Sequence, residues 1–300
     1  MRRPRFGRVL TAMVTPFAAD GALDVKAARR LASHLVDHGS EGLVVAGTTG
    51  ESPTLAHSEK LELFEAVLDE VGERATVIAG TGSSDTRETI GLTQEACSIG
   101  VHGILVVTPY YSKPPQPGLL AHFAAVADAS SKPLMLYDIP GRTGRRIEPA
   151  TMLELARHER IVAVKDAVGD AGETASLRAA LDAAGCEDFE IYSGDDPLLL
   201  PHLAAGAVGI VSVCSHLVGE KIAKVLGHWE AGRADEARAV YLSLVPFMKT
   251  IMTLTASPIP VKAAVNMLGL EAGEPRLPLI PVDAAESEAI RRALETQGLL

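Results

Sequence analysis

Apolar and polar positions along this chain follow two alternating rhythms. Short runs of small or β-branched apolar residues, the pattern of strands buried on both faces, recur at residues 9–14, 42–46, 76–80, 103–107, 133–137, 161–165, 189–192 and 208–213. Between them the apolar residues return at helical spacing. Asp24 reads as an N-cap ahead of a helix carrying Ala28, Leu31 and Leu35, which Gly39 ends. Leu61, Phe64, Leu68 and Val71 mark another helix. Asp85-Thr86-Arg87-Glu88 has the form of a capping box, with Glu88 at its third position. Asp196 followed by Pro197 reads as a cap and first-turn proline before a helix over 198–205, stopped by Gly206.

Strand and helix alternating eight times is the count of a (β/α)8 TIM barrel. The competing α/β fold, a doubly wound open sheet, usually has fewer strands, and no Gly-x-Gly-x-x-Gly follows the first strand here. After the eighth repeat the rhythm changes. Residues 221–229, 234–250, 261–268 and 284–295 read as helices with no strand between them, broken by Ser257-Pro258-Ile259-Pro260 and by the proline-bearing stretch 274–281. The expected organisation is therefore a barrel over 1–224 and a C-terminal helical domain over 225–300.

Composition narrows the classes of function. The 300 residues are ample for a sizeable core, and 47% hydrophobic with 22% charged residues is the balance of a globular enzyme rather than a disordered chain. A formal net charge of -10 argues against nucleic acid and anionic membrane as partners. Cys97, Cys186 and Cys214 are odd in number, widely spaced and free of any Cys-x-x-Cys, which points to a reducing cytoplasm and away from disulfides or structural zinc. The basic opening Met1-Arg2-Arg3-Pro4-Arg5 precedes an apolar run, but that run is short, contains Thr11 and ends at Thr15-Pro16, so it reads as the first strand rather than a signal peptide. No run approaches the roughly 18 apolar residues of a membrane span.

The chemistry gathers where a barrel keeps its site, at the carboxyl ends of the strands. Strand six ends in Ile161-Val162-Ala163-Val164-Lys165-Asp166. A lysine among aliphatic walls loses hydration, its pKa falls, and its free amine can form a Schiff base with a carbonyl. The alternative is a lysine snorkelling into water. Strand two ends in Gly47-Thr48-Thr49-Gly50-Glu51-Ser52, either a plain turn or a cradle for a carboxylate. Strand four delivers Thr108-Pro109-Tyr110-Tyr111, strand five Tyr137-Asp138-Ile139-Pro140-Gly141-Arg142, and strand seven Ser193-Gly194-Asp195-Asp196. Each has a dull reading: tyrosines as core residues, Arg142 as a surface cation, the two aspartates as caps for the next helix.

Other chemistries lose support. Asp195 and Asp196 would repel a phosphate after strand seven. Most histidines fall in helices or beside strand starts, leaving His57 and His216 as isolated loop residues that read as polar contacts rather than ligands, and no metal is expected. Gly-x-Ser-x-Gly is absent. What survives is an amine nucleophile, phenols to pass protons, and a cation with hydroxyls for a carboxylate: a 2-oxo acid handled through an imine.

With these motifs in this order, the sequence resembles the dihydrodipicolinate synthase and N-acetylneuraminate lyase superfamily of pyruvate-dependent lyases. The likeness runs from Val14-Thr15-Pro16-Phe17 to Pro258-Ile259-Pro260-Val261-Lys262, and Thr48 with Arg142 favours the synthase branch. The resemblance implies that Lys165 forms the imine with pyruvate, with no separate cofactor. It makes Tyr137 the general acid/base, linked to Thr48 and Tyr111 in a proton relay. Thr49 would bind the pyruvate carboxylate, Arg142 would orient Tyr137 and hold the carboxylate of aspartate 4-semialdehyde, and Gly194 and Val211 would line the pyruvate pocket. Tyr111 would reach a neighbouring subunit's site, implying a homodimer or a dimer of dimers. The implied role is lysine and diaminopimelate biosynthesis. Another pyruvate-dependent aldolase, of sugar-acid or 4-hydroxy-2-oxoglutarate type, and a ligand-binding barrel without catalysis stay open. Relatives sensitive to lysine bind it near positions matching His57, Ser84, Glu88 and Tyr110. Ser84 replaces a usual asparagine and Lys60 a common histidine, so weak or absent inhibition is expected.

Overall fold

The computed structural model describes residues 4–300, so Met1 to Arg3 of the basic opening lie outside the described residues. In chain order the elements are β1 (Val9–Ala12), α1 (Val25–Asp37), β2 (Gly42–Val45), α2 (His57–Val71), β3 (Thr76–Gly80), α3 (Thr86–Ile99), β4 (Gly103–Val107), α4 (Gln116–Asp128), β5 (Leu134–Asp138), α5 (Pro140–Thr143), α6 (Pro149–Leu155), β6 (Ile161–Asp166), α7 (Ala171–Ala183), β7 (Glu190–Ser193), α8 (Leu199–Ala204) and β8 (Gly209–Ser212). Four helices follow: α9 (Ser215–Glu230), α10 (Ala234–Thr253), α11 (Ile259–Met267) and α12 (Ala284–Thr296). The sheet is a closed barrel in the order β1-β2-β3-β4-β5-β6-β7-β8. The barrel is the fold, and the open sheet is set aside.

Strand edges differ from the hydropathy reading by a residue or two, for physical reasons. Pro133 has no N–H to give a ladder and serves only as acceptor, for Ile104 N–H at 3.0 Å. Asp138 is polar, so hydropathy stops short of it, yet it pairs in register with Asp166.

Contacts group residues 4–77 with 212–300 in one compact unit and 78–211 in a second. The division expected at 224/225 falls inside α9, and the C-terminal helices group with the start of the chain. In the first unit Asp24 caps α1 as expected, accepting Ala27 N–H at 2.9 Å. The helix buries Ala28, Leu31 and Leu35 and packs on α2. Burying each such leucine contributes about 1.5–3 kcal/mol. Helices α9 to α12 pack on one another, and α9 also lies against β1.

In the second unit Asp85 caps α3, accepting N–H groups of Arg87 and Glu88. The reciprocal half of the expected capping box differs: the Glu88 carboxylate accepts the Ser83 hydroxyl at 3.0 Å. Across β5 and β6, Tyr137 pairs with Lys165 and Asp138 with Asp166. Successive side chains on a strand face opposite ways, so Tyr137 and Lys165 share one face and the two aspartates the other. Those aspartates line a cavity with Met152 of α6, Leu177 of α7, Arg146 and Glu173.

Candidate active site

Lys165 is the penultimate residue of a strand in which every residue is buried. Only 4% of Lys165 is exposed, and its Nζ stands 4.2 Å from the centroid of the Tyr137 ring. Burial lowers its pKa from 10.5 to about 8; Asp196 opposes that shift and Arg142 adds to it. Near pH 8 about half the amines therefore carry a free lone pair, the form that attacks a carbonyl. The lysine is not a snorkelling one.

The neighbouring strand ends fix this pair. Thr108, after β4, donates to the Tyr137 carbonyl twice, from its N–H at 2.9 Å and its hydroxyl at 3.0 Å. Gly194 N–H, after β7, donates to the Asp166 carbonyl at 2.6 Å. A Cβ on Gly194 would fall 2.8 Å from the Ala167 Cβ, so only glycine permits that approach. Arg142 lies on α5, and both Asp138 carboxylate oxygens accept Ile147 N–H at 3.2 Å, closing the loop that carries it. Burial first, and the like charge of Asp166 next, raise the Asp138 pKa to about 7. Val211 is buried at the end of β8.

Asp195 and Asp196 were expected to cap the next helix. Neither side chain caps it; α8 starts only at Leu199, after a single tight turn. Asp196 is instead buried, with its charge acting on Lys165. Tyr111 is 94% exposed at φ 69, so one chain does not bring it to Tyr137. Of the expected effector residues in this unit, Ser84 and Glu88 are exposed and Tyr110 is half-buried. Burial and the nearby Glu88 raise the Tyr110 pKa.

The Thr48–Thr49 turn belongs to the first unit. Glu51 N–H donates to the Thr48 carbonyl at 3.1 Å and Ser52 N–H to the Gly47 carbonyl at 3.2 Å. Thr49 is buried, Thr48 half-buried, and His57 exposed at the start of α2. His216 is a structural contact, as expected. Its Nε2 accepts Val14 N–H at 3.0 Å, and its Nδ1–H donates to the Val213 carbonyl at 2.7 Å. Burial holds that ring neutral, with its pKa lowered to about 4.

Sequence reading passed over several buried charges. Asp138, Asp166, Glu51 and Lys262 each sit inside or beside a motif, and each is buried. The available signal was a charged residue directly following an apolar run or flanked by one, as in Pro260-Val261-Lys262.

A parallel barrel whose sixth strand ends in a buried, half-neutral lysine beside a tyrosine ring is the frame of an imine-forming lyase. The chain belongs to the dihydrodipicolinate synthetase family, whose model matches residues 5–297. The 4-hydroxy-tetrahydrodipicolinate synthase of Moorella thermoacetica is 52% identical over 297 residues, covering 99% of this chain and 100% of that one. Its namesake from Acidothermus cellulolyticus is 53% identical, covering 99% and 94%. Among solved structures, dihydrodipicolinate synthase of Cyanidioschyzon merolae with lysine bound superposes with a TM-score of 0.95 at 43% identity, covering 99% and 100%.

Proposed function

We propose that this chain makes 4-hydroxy-tetrahydrodipicolinate, the product named by its relatives, by joining pyruvate to L-aspartate 4-semialdehyde on Lys165. The observation that carries this reading is the buried Lys165 amine, with its pKa near 8 and its Nζ over the Tyr137 ring. The neutral amine adds to C2 of pyruvate and water leaves, forming the imine. Its positive charge lets the methyl carbon release a proton and become an enamine. That carbon attacks the aldehyde, the new alkoxide takes a proton, and the product's own amine displaces Lys165. Tyr137 moves these protons with Thr48 and with Tyr111 of a neighbouring copy; general acid–base assistance of this kind is typically worth about 10²–10⁴-fold. Thr49 holds the pyruvate carboxylate beside Gly194 and Val211, and Arg142 that of the semialdehyde. The exposure of Tyr111 supports a homodimer or dimer of dimers, and no helix among the described residues is long and apolar enough to cross a membrane.

Borohydride reduction in the presence of pyruvate is the test. An adduct on the peptide holding Lys165, lost in Lys165→Ala, with turnover on the semialdehyde, is the expected result. Adduct with turnover only on sugar aldehydes would mean another aldolase, and adduct with no turnover a binding barrel. Lysine inhibition is weak or absent on this reading, because Lys60 adds a like charge where a cationic effector would bind; a steady-state titration with lysine measures it.

A further inference from the structure

The C-terminal segment reaches the turn at residues 47–52 through buried charges that the imine chemistry does not use. Glu51 sits in a left-handed conformation at φ 56 with its side chain fully buried. Its Oε1 accepts from Lys262 Nζ of α11 at 2.7 Å, and its Oε2 accepts Arg276 N–H at 2.8 Å. Lys262 Nζ also donates to the Thr15 carbonyl at 2.8 Å, and the Thr15 hydroxyl donates to the Gly50 carbonyl at 2.6 Å. The Arg276 guanidinium donates to the carbonyls of Thr54 and Gly21 and to the Glu59 carboxylate. Both cations lie 4.1 Å from the centroid of the Phe17 ring. The segment can run this close only because residue 273 is glycine at φ 69; a Cβ there would fall 1.9 Å from the Phe17 carbonyl oxygen.

A buried ion pair gains little net stability, because desolvation offsets the attraction, so its use is geometric. The bonds to Glu51 and Gly50 end on the turn that carries Thr48 and Thr49, the bond to Thr54 ends just beyond it, and those to Gly21 and Glu59 fix the Arg276 guanidinium. We propose that Lys262 and Arg276 are positioning residues that hold residues 47–52 in the shape that binds the carboxylate of a 2-oxo acid, Lys262 through the Glu51 carboxylate and Arg276 through its guanidinium on the Thr54 carbonyl beside its main-chain bond to Glu51. The C-terminal helices thereby act on the reaction without touching substrate. This inference rests on the reading that the turn binds pyruvate's carboxylate.

Reductive trapping on Lys165 is titrated with pyruvate and with methyl pyruvate, whose ester has no carboxylate, in the unmodified protein, Glu51→Gln and Arg276→Met. A misplaced turn raises the half-saturating pyruvate concentration by roughly ten-fold or more, while that of the ester moves by less than about three-fold. The trapping rate at saturating pyruvate stays close to that of the unmodified protein, and Arg276→Lys, which keeps a cation, recovers part of the loss. If Glu51→Gln does not fold, Arg276→Met, nearer the surface, decides alone. Equal shifts for both compounds, or no shift for pyruvate, overturn the proposal. No adduct in the unmodified protein overturns the reading beneath it, a result told apart because no variant is needed to see it.

Discussion

Two lysines of this chain are buried under nearly the same conditions, and they differ in their hydrogen-bond partners. Lys165 is 4% exposed and Lys262 1%. Each places its Nζ over an aromatic ring, at 4.2 Å from Tyr137 and 4.1 Å from Phe17. Burial lowers the pKa of both. Lys262, however, donates to Glu51 Oε1 at 2.7 Å, whereas among the described residues no carboxylate stands within ion-pair distance of Lys165. Asp196 acts on Lys165 only through its field. The difference teaches that burial and a ring do not by themselves set the charge of a lysine. A carboxylate in contact opposes loss of the proton through a hydrogen bond as well as its charge; one held farther off opposes it through its charge alone.

The sharpest way to break the comparison is to remove each amine in turn, because the stability changes have opposite signs. Lys262→Met leaves Glu51 buried without its cation, and losing one partner of such a pair costs about 3–5 kcal/mol. A thermal melt should show a clear fall, and the double variant Lys262→Met/Glu51→Gln should regain much of it. Lys165→Met should do the reverse. The unfolded lysine titrates near 10.5 and the folded one near 8, so the unfolded chain binds more protons between those values and stability rises with pH across that window. Below pH 8 the full deficit of about 3 kcal/mol is present. Lys165→Met should therefore melt higher at pH 7, with the gain gone by about pH 10.5; a fall at pH 7 would show that Lys165 is not strained by burial. The smallest effect belongs to Phe17→Leu, which removes a ring shared by Lys262 and Arg276 and should cost about 1–2 kcal/mol by denaturant unfolding.

Much of the barrel was legible in the sequence because its strands are buried on both faces, so most print a nearly continuous apolar run, interrupted in β1 only by Thr11. The same feature exposed Lys165, a charge at the end of such a run. Legibility failed where partners lie far apart along the chain. Glu51 and Lys262 are separated by 211 positions, and nothing local to either says that they meet. It failed again at Asp196, because a cap and a field-setting carboxylate look alike before Pro197. Hydropathy marks where strands cease, after β8, and carries no sign that the C-terminal helices group by contacts with the start of the chain.

The acidic pair behind the reactive strand has a consequence for the medium the protein works in. Asp138 titrates near 7 when folded and near 3.8 when free, so folding takes up a proton between those values, and its contribution to stability weakens as the pH climbs through them. Asp166, Arg146 and Glu173 face the same cavity. A shift of the surroundings from neutral toward mildly acid therefore firms the far side of the barrel wall while it adds protons to Lys165 on the near side, so one change in the medium acts on both faces of a single sheet.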